Sequence, residues 1–68
     1  MRVNIEAERG RMQMTKGELA RRLAITQRTY NGYIAGTPIP STVLISMADV
    51  FGCSTDYLLG LTDKRTTA

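Results

Sequence analysis

Apolar residues recur along this chain at spacings of three and four, and nowhere alternate over the length of a strand. The pattern predicts five short helices and no sheet. The first covers about residues 2–12, where Ile5, Ala7, Glu8 and Met12 form a thin stripe among charges. The second, about 16–23, places Leu19, Ala20 and Leu23 on one face, since residues four apart project together. The third, 27–35, carries Tyr30, Tyr33 and Ile34 at helical spacing. The fourth, about 42–51, turns Leu44, Met47, Ala48 and Phe51 inward, and the last, 55–59, is a single turn or slightly more. Leu19, Leu23, Ile25, Met47 and Phe51 are expected in the core.

Polar punctuation supports these limits. Thr15 is followed three residues later by Glu18, a T-x-x-E capping box. Thr26, Ser41 and Ser54 are further N-cap candidates. Gly36, Gly52 and Gly60 stand where helices three, four and five should stop. Pro38 and Pro40 exclude a helix between the third and the fourth. Residues 62–68 are polar and expected to fray, leaving one domain over residues 1–61.

Size narrows the functional classes. A chain of 68 residues buries only about 60% of its unfolded surface, so its stability should be modest and a two-domain enzyme is ruled out. With one cysteine, Cys53, no intrachain disulfide can form, and with no histidine a structural zinc site is poorly supported. Cys53 is expected to be a buried, reduced thiol. No apolar run approaches a membrane span, and residues 1–10 lack a secretory core. A cytoplasmic protein without a cofactor is the expectation. Paired carboxylates, G-x-S-x-G and a phosphate-cradling glycine loop are all missing, which argues against an enzyme.

Charge adds a direction. In residues 1–36 Arg2, Arg9, Arg11, Lys16, Arg21, Arg22 and Arg28 stand against Glu6, Glu8 and Glu18, a balance of +4. In the remainder Lys64 and Arg65 stand against Asp49, Asp56 and Asp63, a balance of −1. One basic half suits a polyanion partner.

The basic half also contains the most informative segment. Two helices joined by about three residues, Ala24, Ile25 and Thr26, must cross steeply, as in a helix-turn-helix. Ala20 supplies the small residue where they touch. With Tyr30 and Tyr33 inward, the outer face of the third helix is Gln27, Arg28, Asn31 and Gly32. Arg can donate two bonds to guanine, and Gln or Asn can pair with adenine, in the major groove. Lys16 and the amides after Thr15 offer a cation and a helix start to a phosphate.

Residues 14–36, MTKGELARRLAITQRTYNGYIAG, resemble the helix-turn-helix of Cro and phage-repressor-type proteins, the xenobiotic-response-element family. Pro40-Ser41 and MADVFGCSTDYLLG extend the likeness over roughly residues 3–60. The resemblance implies an all-α, compact five-helix lambda-repressor-like fold whose members bind palindromic operators as dimers. It implies base reading by Gln27, Arg28 and Gly32, to which the outer-face reading adds Asn31, and phosphate contacts by Lys16, Thr26 and Thr37. The implied activity is sequence-specific binding of double-stranded DNA as a repressor-like transcriptional regulator. A homodimer on DNA is expected to meet through Tyr57, Leu58 and Leu61.

Three positions depart from the family pattern. The Arg of the first helix is present as Arg9, but its usual Glu partner near the end of the third helix is Ile34. The turn position often held by Gly is Ala24, which a left-handed backbone would strain by about 1–2 kcal/mol. Gly32 has no side chain for a base. The competing functional class is a protein-interaction module on the same fold, such as an antitoxin or adaptor.

Overall fold

The computed structural model describes residues 2–65. Five helices follow in order: α1 (Val3–Arg11), α2 (Lys16–Arg22), α3 (Gln27–Ala35), α4 (Ser41–Phe51) and α5 (Thr55–Leu58). No strand occurs among the described residues. The fold is all-α, as expected, with helix limits within a residue or so of those read from the caps.

Local chemistry starts three of the helices. Thr15 Oγ1 accepts the Glu18 N–H at 3.1 Å, and Glu18 Oε1 accepts the Thr15 N–H at 3.2 Å, completing the capping box. Thr26 Oγ1 accepts the Thr29 N–H at 3.1 Å, and Ser54 Oγ accepts the Tyr57 N–H at 3.1 Å. Ser41 departs from its expected role. It is the first helical residue of α4, and Pro40, which has no side-chain acceptor, occupies the cap. Pro40 offers no side-chain acceptor to the first N–H groups of α4, and the helix starts from its carbonyl, which accepts the Leu44 N–H at 3.0 Å.

α2 packs chiefly on α3, α4 on α5, and α1 spans α3 and α5. The core holds Ile5, Leu19, Tyr30, Met47 and Leu58, all with no exposed surface, together with Ala20, Leu23, Tyr33, Ile34, Phe51 and Cys53. Ile25 packs at its edge. Ala20 is buried, as a helix crossing at that point requires. Met12, placed on the inner stripe of the first helix by its spacing, is instead exposed. The chain turns left-handed at Gln13 (φ 57°) just beyond, which carries it away from that face.

Among the described residues, Glu8 is the one charged residue in the core. Arg65 donates to it from Nη2 at 2.7 Å and Nε at 3.0 Å, and Arg11 donates from Nη2 at 3.0 Å and Nε at 3.1 Å. The Arg65 bonds chiefly hold the Glu8 carboxyl below the usual carboxylate range, against the opposing effect of burial. Arg65 also donates to Phe51 O at 3.0 Å, and its own carbonyl accepts the Ser54 N–H at 2.7 Å. Of residues 62–68, expected to fray, Arg65 is instead fastened to α1 and to the α4–α5 junction. Residues 66–68 lie outside the described residues.

Candidate nucleic-acid interface

The turn between α2 and α3 sets how the candidate reading helix is presented. Ala24 is left-handed (φ 58°), the backbone that a Gly at this turn position would adopt without strain. The Ala24 N–H donates to Arg21 O at 3.1 Å and the Ile25 N–H to Ala20 O at 3.0 Å, so the end of α2 is closed by backbone bonds. Thr26 then opens α3 at once. Tyr30, Tyr33 and Ile34 are buried and lock one face of α3 into the core. Gln27, Arg28 and Asn31 are left exposed on its first two turns.

Arg28 pairs with no carboxylate among the described residues, and Asn31 makes no side-chain hydrogen bond there. Their donors and acceptors are open to a partner. The Gln27 carboxamide oxygen leans over α2, 3.4 Å from where a Cβ would stand on Gly17. Gly32 is half-buried and faces the loop rather than open solvent: a Cβ there would meet Thr37 Oγ1 at 3.5 Å. Thr26 is exposed, and its hydroxyl donates to Thr29 Oγ1 at 2.9 Å while capping α3. Thr37 is exposed just past Gly36, with its N–H on Gly32 O at 3.0 Å.

Lys16 starts α2 and has its Nζ 3.9 Å from Glu6 Oε1. That contact is long and its partners are partly exposed, so it holds the ammonium only weakly. Arg21, Arg22 and Arg28 are exposed on the same helix pair and add positive potential.

Behind this surface lies a polar cluster that periodicity did not reveal. Arg9, lacking the family's Glu on α3, pairs within its own helix. Its Nε donates to Glu6 Oε2 at 2.7 Å and its Nη1 to Met14 O at 2.7 Å. Tyr30 crosses from α3 and donates its hydroxyl to the same Glu6 oxygen at 2.6 Å. The Arg9 bond chiefly lowers the Glu6 pKa, with Tyr30 and Lys16 adding to it against desolvation. Burial, with the neighbouring carboxylate, pushes the Tyr30 phenol well above its ordinary value. Glu6 thus stays ionised at neutral pH and joins α1, α2 and α3. The role that Ile34 could not fill passes to the residue one helical turn before Arg9.

Among the described residues there is no cluster of three or more metal-ligating side chains, and no helix long and apolar enough to cross a membrane. The profile of the helix-turn-helix family matches residues 5–58, most of the chain. Neither the curated proteins nor the solved structures compared with the chain gave a match. A capped helix pair with a left-handed turn, inside five helices spanned by that profile, leaves one assignment: the chain belongs to the helix-turn-helix family of Cro and phage-repressor-type DNA-binding domains.

Proposed function

We propose that this domain is a sequence-specific reader of double-stranded DNA, acting as a repressor-like transcriptional regulator in the cytoplasm. The observation that carries the reading is the two-sidedness of α3. Its inner face is fixed by Tyr30, Tyr33 and Ile34, while Gln27, Arg28 and Asn31 stand free on its first turns. A helix held rigidly from behind can present such side chains to base edges in the major groove. Arg28 donates to guanine, and Gln27 and Asn31 address neighbouring bases. Gly32, whose missing side chain leaves room for Thr37, lets that loop sit close beside the reading face. Lys16, Thr26 and Thr37 flank this face and contact phosphates, which orient the domain without reading sequence.

One domain offers one short reading helix. Two copies on a palindrome, with half-sites about 34 Å apart, satisfy that geometry. Of the three residues expected at the dimer contact, Leu58 is core and Tyr57 only half-exposed, whereas Leu61 is 73% exposed. Leu61 is therefore the one we assign to that contact.

The test is a salt titration of affinity for a selected operator and a scrambled duplex. Arg28→Ala should cost about 1–3 kcal/mol on the operator and relax discrimination at one base pair. Lys16→Ala should weaken both duplexes alike and lower the salt slope by about one. If both variants change both duplexes equally, α3 does not read sequence, and the basic face serves a protein partner instead.

A further inference from the structure

We propose that Arg2 is a positioning residue for DNA binding, fixing the C-terminal end of α3 to the loop at Thr37. The inference rests on the reading of α3 given above. That loop and that helix have different tasks: α3 presents base-reading side chains and Thr37 meets the sugar-phosphate chain. Both contacts are made together only if the spacing between them is held.

Little within the segment itself holds it. α3 has no basic residue in its last turn, so nothing of its own offsets the negative end of the helix dipole. Gly36, at φ 129°, swings the chain out of the helix. Beyond Thr37 the two prolines, Pro38 and Pro40, remove backbone donors. The segment's own backbone closes the helix end with the Gly36 N–H on Gly32 O and Tyr33 O, and ties Thr37 to it only by the Thr37 N–H on Gly32 O.

Arg2 supplies the rest from 31 to 35 positions away in sequence. Its backbone N–H donates to Ile34 O at 2.8 Å. Its Nη1 donates both to Tyr33 O at 2.5 Å and to Thr37 O at 2.6 Å. One nitrogen therefore bridges a helix carbonyl and a loop carbonyl, and the cation sits at the helix end that favours it. The side chain faces these carbonyls, so it acts on DNA through Thr37 and α3 rather than by touching a phosphate.

Arg2→Met tests this, because it keeps an unbranched apolar stem and the backbone bond to Ile34 while removing the guanidinium that forms the bridge. Affinity for the selected operator and a scrambled duplex is measured against salt, with folding followed by circular dichroism. Operator affinity should fall roughly fivefold, the equivalent of one net hydrogen bond, with an unchanged salt slope. The scrambled duplex should lose less, since phosphate attraction alone does not need the helix–loop spacing. A slope lowered by about one on both duplexes would make Arg2 a direct phosphate contact and overturn the proposal. Equal losses with an unchanged slope would reduce it to a general structural role, and no change would remove it. If wild-type protein does not discriminate between the duplexes, the reading of α3 falls with it. Should Arg2→Met fail to fold, Arg2→Gln, which is polar but too short to span both carbonyls, is judged by the same outcomes.

Discussion

Removing one oxygen from the core, by Tyr30→Phe, isolates the bond between α3 and Glu6. The Tyr30 hydroxyl donates to Glu6 Oε2 at 2.6 Å, within the range of charge-assisted O–H···O⁻ bonds. Bonds to charged groups contribute about 1.5–3 kcal/mol net. Glu6 keeps Arg9 after the substitution, and its side chain is 22% exposed, so water can take the vacated lone pair. The lower end therefore applies, and the expected loss is about 1.5 kcal/mol at pH 7. The ring itself remains, so no cavity adds to it. For a domain of this size the melting temperature should drop by about 6–12 °C. The dependence on pH is more discriminating. The folded-state pKa of Glu6 lies below its ordinary value, so its contribution is fully present above the unfolded carboxylate pKa. It is lost as pH falls through the lower folded value. Urea unfolding of both proteins from pH 7 to pH 3 should show the gap narrowing over that acid range. A gap that stays constant with pH, or is absent at pH 7, would refute the role given to the Glu6 carboxylate.

Two other substitutions or probes address separate features. Ala24→Gly should raise the urea midpoint, because relief of the left-handed strain, about 1–2 kcal/mol, outweighs the looser unfolded chain, about 0.5–1 kcal/mol; a lowered midpoint would contradict the strain. Cys53 is buried, and burial raises its thiol pKa, so a thiol reagent at neutral pH should label native protein far more slowly than urea-unfolded protein. Equal rates would place the thiol at the surface.

The helices were legible because their signals are local. A Thr with Glu three residues on, a Thr before Gln27, and a Gly after Ala35 act over a few residues, and each did so in the fold. The exposed face of α3 followed from where Tyr30 and Tyr33 had to go. The polar ties were not legible in the same way. Arg65 meets Glu8 across 57 positions and Arg2 meets Tyr33 across 31, distances over which periodicity carries no information. One hint was present: Glu8 lies three residues after Ile5 on the inner stripe of the first helix, and a carboxylate so placed needs a cation. The sequence offered nine basic residues for that role and no way to choose among them. Ser41 misled because it stands one position too late, as the first helical residue rather than the cap.

The tie between Glu8 and Arg65 also bears on the order in which the molecule comes apart. Closing so long a span of chain is entropically costly, so such a contact is expected to form late, after neighbouring helices such as α2 and α3 have paired. Contacts missing from the transition state leave the folding rate nearly unchanged and slow unfolding instead. Arg65 thus works as a brake on opening. While it grips Glu8 and the carbonyl of Phe51, the junction holding Cys53 and Ser54 stays shut. Acid releases the brake as pH falls through the depressed pKa of Glu8, and the α4–α5 junction then loses its tie to α1.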